Sequence, residues 1–298
     1  YHQLLLTREW TTTMTSAGGD STMISIESGE TPGSGRSYLP PSSPGIGGSR
    51  GGNFILPLGG RGVNTGQNAI SEYLMRLVQF DQMDFQYTYS QMVSLCRFAP
   101  GELYKATQIR RKIKNQWARD DPAFVAILMG MIAISSLAYC ITFGVHGILH
   151  LLRVVVGSVV VDFLGTGCIM ATATSFVANR YLRVQRVMTT DQQVEWLYAF
   201  DIHCNGYFPL FVLLYPVQFF LTPLLLQSDF VATVLANSLY AFAFIYYHYV
   251  TVLGYSVLPF LRDQNRFFYP VGVILIFYFF ACLLNFNACK IMLNWYLG

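Results

Sequence analysis

Between Pro122 and Leu152 the chain carries no Lys, Arg, Asp or Glu, while the stretch just before it, from Lys105 to Arg119, is densely basic. A helix rising 1.5 Å per residue needs about 20 apolar residues to cross a hydrocarbon core of about 30 Å, so this step in character predicts a membrane boundary. The same reading along the chain predicts five spans. They run from about Ala123 to Val145, Val154 to Ala178, Gly206 to Leu226, Phe230 to Thr251 and Phe268 to Ala288. Asp120, Asp121 and Pro122 give the first a capping carboxylate pair and a proline in its opening turn.

Upstream the pattern is different. Residues 11–68 are rich in Gly, Ser, Thr and Pro and cannot bury enough apolar area to offset chain entropy, which predicts a disordered cytosolic tail over residues 1–69. From Ile70 the apolar positions return at helical spacing (Tyr73, Leu74, Leu77, Val78), with Asp81, Asp84 and Arg97 interrupting any spanning run. Residues 70–121 therefore read as cytosolic amphipathic helices and residues 122–298 as the transmembrane domain. In the last of these helices Leu103, Ala106, Ile109, Ile113 and Trp117 share one face, surrounded by Lys105, Arg110, Arg111, Lys112 and Lys114. That arrangement suits an anionic membrane surface or a docking partner, each basic residue contributing about 1 kcal/mol near such a surface. The fold class expected is all-α: a polytopic membrane protein with about five transmembrane helices, cytosolic amphipathic helices and a disordered N-terminal tail.

Composition narrows this further. With 53% hydrophobic and only 12% charged residues, no soluble catalytic domain remains once the apolar part is set aside. An N-terminus inside the cell puts Lys105, Arg110, Arg111, Lys112, Lys114, Arg119, Arg180, Arg183, Arg186, Arg262 and Arg266 on the cytosolic face, and only Arg153 and Lys290 on the other. This positive-inside bias predicts a cytosolic N-terminus and a lumenal C-terminus. The six cysteines include no Cys-x-x-Cys pair and read as reduced packing residues.

Few residues carry candidate chemistry. Asp162 is the charged residue inside a span, with Ser158 and Gly165 at i−4 and i+3; the three read as an intramembrane clamp, with a proton or ion site as the alternative. The segment Val194–Asn205 gathers Glu195, Asp201, His203 and Cys204, but Asp201 and His203 stand two apart and oppose each other on a helix. It reads as an interfacial helix with Trp196, Tyr198 and Phe200 at headgroup depth rather than a metal site. Pro209, Pro216 and Pro223, at sevenfold spacing, predict packing kinks in the third span. No catalytic, cofactor-binding or metal motif is present.

Four separated motifs carry a resemblance. Gln82-Met83-Asp84-Phe85, Asn115 through Phe124, Glu195 through His203, and Tyr249-Val250-Thr251 continuing to Leu261 closely resemble the uncoordinated-fifty (Unc-fifty) family. The likeness covers about Ser71 to the C-terminus; Asp162, Gly165, Gly167 and Pro209 also fit it, whereas Pro216 and Pro223 do not. It implies a non-enzymatic, multi-pass Golgi membrane protein that supports trafficking, in animals the cell-surface delivery of nicotinic acetylcholine receptors. Its implied partners are membrane lipids, the large guanine-nucleotide exchange factors for Arf and nicotinic receptor subunits, with an inner nuclear membrane location and RNA binding in some relatives. RNA contact would fall on Arg110, Arg111, Lys112 and Lys114, without an RNA-binding fold around them. The alternative to a trafficking role is a small transporter or lipid-handling protein centred on Asp162.

Overall fold

Polar residues that would seek water in isolation are instead drawn inside, and this decides how the helices pack. The computed structural model describes residues 83–97, 100–114, 116–119, 121–184 and 192–297. The tail expected over 1–69, the helical spacing from Ile70, Asn115, Asp120 and Arg186 lie outside the described residues. Helices α1 (Phe85–Cys96) and α2 (Pro100–Lys114) are followed by α3 (Ala123–Thr142), α4 (Ile148–Leu182), α5 (Trp196–Leu225), α6 (Phe230–Ser256), α7 (Tyr269–Leu283) and α8 (Ala288–Leu297). Among the described residues five helical segments are long and apolar enough to cross a membrane: α3 to α6, and α7 with the short turn that opens it at Gln264. The protein is an all-helical, multi-pass membrane protein.

Helix α5 is the axis of the bundle. Every residue from Tyr198 to Phe211 is buried, including Asp201, His203 and Asn205, because α4 and α6 pack on either side of it while α1 and α3 also contact it. A helix buried on all faces shows no amphipathic stripe, and none is seen here. Three glycines let its neighbours approach. A methyl group at Gly167 of α4 would lie 2.8 Å from both His203 Cδ2 and the Phe200 ring; one at Gly206 would lie 2.9 Å from the Tyr247 ring; one at Gly254 of α6 would lie 2.8 Å from Ile202. Small residues are the usual means of close helix approach inside membranes. Gly165 does not act this way, since its nearest obstacle is Val160 O of its own helix, at 3.2 Å.

Three expected boundaries are corrected. The second span opens at Ile148 rather than Val154, directly after Gly147, whose φ of 97° turns the chain at small cost only for glycine. The separate interfacial helix expected over Val194–Asn205 does not exist: the third span begins at Trp196, and Tyr198 and Phe200 are core residues. The fifth span ends at Leu283, where Asn285 adopts a left-handed φ of 53°, and the chain returns as α8. Asn287 starts α8 by accepting the Lys290 N–H at 3.1 Å on Oδ1 while its amide donates to Leu225 O at 2.9 Å.

Of the prolines of the third span, Pro216 sits in a widened turn, while Pro209 and Pro223 stand within α-helical segments. Leu213–Val217, which contains Pro216, is π-helical, as is Gly157–Gly165 in α4. Such segments re-route a hydrogen-bond ladder that proline or a local bulge interrupts.

Candidate functional site

At the end of the bundle where α1 and α2 pack, Arg119 enters the core from the linker before α3. Its N–H donates to Asp201 Oδ2 at 2.6 Å, Nη2 donates to Asn205 Oδ1 at 2.5 Å and to Asp201 O at 3.2 Å, and Nη1 donates to Gln91 Oε1 at 3.0 Å. Nε stands 3.5 Å from Asp201 Oδ1, and the guanidinium lies 4.4 Å from the centre of the Phe124 ring. The planar, five-donor fork of arginine suits such a knot, which ties α1, the linker and α5 together. Beside it Glu195 accepts the N–H groups of Trp117 at 3.4 Å and Ala118 at 3.3 Å. Asp121 accepts from Ala123 N at 2.9 Å and from Asp84 N at 2.8 Å. Pro122 sits at the cap position, one residue before the first turn where it was expected.

Sequence reasoning missed this knot. Its parts come from regions 82 residues apart, and each had a plausible local reading: Arg119 as a topology charge, Asp201 as an interfacial acid. The signal lay in two opposite charges, each beside an apolar run, although Asp120 and Asp121 next to Arg119 offered nearer candidate partners.

The docking residues expected on α2 are sorted by the fold. Among the described side chains of α2, Tyr104 and Thr107 are buried, with Tyr104 Oη donating to Val250 O of α6 at 3.0 Å. Burial pushes the phenol well above its ordinary pKa and keeps it a hydrogen-bond donor. Ile109 and Ile113, on the apolar face expected to meet a membrane surface or a partner, are exposed at 58% and 76%, beside exposed Lys105 and Lys112. Trp117 is removed from the surface: it is 6% exposed and packs against Tyr198 and Phe260, with the partly buried Arg111 guanidinium 5.3 Å from its ring centre. It lies past the end of α2, so the periodicity that put it on the helix face did not apply. The Leu103, Ala106, Arg110 and Lys114 side chains lie outside the described residues.

Within the spans, the Asp162 carboxylate accepts a hydrogen bond from Tyr296 of α8. Ser158 is buried and donates to Val154 O of its own helix at 2.9 Å. The helix that Asp162 meets is therefore α8, and Gly165 takes no part in the contact. Asp201 and His203 part company as their spacing demanded: Asp201 faces Arg119, whereas His203 Nδ1 stands 2.9 Å from Tyr247 Oη and its ring stacks on Phe163.

A helical membrane bundle with a basic, hydrogen-bonded end and no metal-binding cluster among the described residues defines a polytopic membrane protein. The UNC-50 family model matches residues 73–297, and the chain belongs to that family. It is 46% identical to a protein unc-50 homolog of Dictyostelium discoideum, over 77% of this chain and 88% of that protein. It is 37% identical to protein unc-50 of Caenorhabditis elegans, over 76% of this chain and 74% of the relative, and 36% identical to a GMH1 homolog of Schizosaccharomyces pombe, over 75% and 95%. No solved structure matches the chain.

Proposed function

We propose that this protein is a non-enzymatic Golgi membrane protein that supports the trafficking of membrane cargo, with its α2 end in the cytosol docking a large Arf guanine-nucleotide exchange factor. Nicotinic receptor subunits are the cargo this reading assigns in animals. Family membership is the observation that carries it. The exposed surface of α2 supports the docking element: Ile109 and Ile113 form an apolar pair one turn apart, flanked by Lys105 and Lys112, on a helix anchored by Tyr104. An exposed apolar patch with a charged rim is a common form of interaction surface. The cytosolic assignment follows from the Lys and Arg residues concentrated at this end.

The test replaces Ile109 and Ile113 by Ser and, separately, Lys105 and Lys112 by Ala. These positions are exposed, so folding is expected to persist. Loss of exchange-factor co-precipitation together with cargo retained inside the cell is the expected result. Undiminished co-precipitation and normal surface delivery in both variants would remove this docking surface from the proposal.

A further inference from the structure

Behind α8 lies a cavity of about 460 Å³, within the range of small-molecule sites. It runs along α5 from His203 to Gln218, about 22 Å at 1.5 Å per residue. Its walls come from α3, α4, α5 and α6, with Met292, Leu293, Tyr296 and Leu297 of α8 along one side. Thr166, Phe244 and Met292 line it and are also exposed on the outside of the bundle, so it opens sideways where a bilayer would lie.

Most of its surface is apolar, yet two buried polar atoms on its wall, Ser136 Oγ and Gln218 Oε1, have no hydrogen-bond partner in the protein. Their residues are 2% and 3% exposed. Tyr215 beside Ser136, and Tyr139 and Tyr240 beside Gln218, are hydrogen-bonding neighbours, yet none of them reaches hydrogen-bond geometry at Ser136 Oγ or Gln218 Oε1. Leaving such groups unmade inside a membrane is costly, so a wall that exposes them to a shared space is suited to an occupant that supplies partners. The chemistry of the wall narrows the occupant. Gln218 Oε1 can only accept, whereas Ser136 Oγ can donate and accept; a hydroxyl satisfies either. No Lys or Arg lines the cavity, and its carboxylate, Asp162, is held by Tyr296, so nothing there would neutralise a phosphate.

We propose that the space enclosed by α3, α4, α5, α6 and α8 is a binding site for an uncharged membrane lipid bearing a hydroxyl headgroup. The hydroxyl sits at Ser136 and Gln218, and the hydrocarbon body extends along α5 toward His203. Sterols and diacylglycerols share this chemistry. The site does not depend on the exchange-factor docking proposed above, because it lies among the spans and uses none of the exposed α2 residues.

The test reconstitutes the full chain in phosphatidylcholine bilayers with photoactivatable sterol, diacylglycerol or phosphatidylcholine probes and maps the crosslinked residues by mass spectrometry. Saturable labelling of the α5 and α8 lining by the sterol or the diacylglycerol, competed by the same unlabelled lipid, is expected, and the labelling arm identifies which of the two is bound. Gln218→Leu, close to the original in size, is expected to weaken labelling by about tenfold, the effect of one lost hydrogen bond. Ser136→Phe, which fills the space, is expected to abolish it. Competition in the unaltered protein keeps the test decisive if a variant fails to fold. Labelling by the phosphatidylcholine probe as strong as by the hydroxyl lipids, or no saturable labelling of the lining by either hydroxyl lipid, would overturn the proposal.

Discussion

Replacing Arg119 by Leu should be among the most damaging single changes at the basic end of this protein. The guanidinium makes three side-chain hydrogen bonds, to Gln91, Asn205 and Asp201 O, and pairs with the Asp201 carboxylate, all in a setting where Arg119 and Asp201 are 7% and 4% exposed. Removing one partner of a buried ion pair leaves the other charge unmatched and costs about 3–5 kcal/mol. Against a total stability of roughly 5–15 kcal/mol that is a large fraction. For a domain of this size each kcal/mol shifts the melting temperature by roughly 2–4 °C, so a fall of about 6–20 °C is expected. Thermal melting in detergent, followed by size-exclusion fluorescence, measures it. The double variant Arg119→Leu with Asp201→Leu separates the terms: if the cost comes from an orphaned charge, the double variant should be no worse than the worse single one. Strictly additive losses, or a shift below about 2 °C for Arg119→Leu, would refute this account of the knot.

Two further outcomes follow from the packing. Gly206→Ala puts a methyl 2.9 Å from the Tyr247 ring and 3.2 Å from its carbonyl oxygen, a backbone atom that cannot swing aside, so α5 and α6 must separate. A loss of about 1–3 kcal/mol is expected from the same melting assay, while Gly130→Ala, with nothing within 4 Å, should be neutral. Asn287→Ala removes the amide bond to Leu225 O and the cap on Lys290 N, loosening the start of α8 at a cost of about 1–3 kcal/mol. Cys289, fully buried behind that start, should then react with a thiol probe several-fold faster, by roughly the factor that local opening increases; an unchanged rate would show that Asn287 does not hold α8 in place.

The membrane-spanning class was legible because long apolar runs are a local property: the residues that make a span possible are the span itself. The start of α3 was legible for the same reason, since Asp121 accepts the N–H of Ala123 only two residues away. The failures share a different cause. Trp117 was placed on the apolar face of α2 by helical periodicity, but it lies past the end of that helix, and which side of α2 is inside depends on where Tyr104 meets α6, a contact between residues 146 positions apart. Asp162 was recognisable as a constrained residue, yet its partner Tyr296 stands 134 residues away on α8, past the end of the fifth span, where the sequence reading placed no element.

By itself the sequence determined that this chain is helical and multi-pass, where the spans roughly lie, that charge gathers at one end, and which family it resembles. Tertiary structure decided that Asp201 and Asn205 are core residues, that α5 is enclosed, that α8 turns back beside Asp162, and that Ser136, His203 and Gln218 share one cavity. The physical reason is range. Hydropathy and helix periodicity are sums over neighbours along the chain, whereas a buried polar group is stable only by virtue of the partner that folding delivers to it.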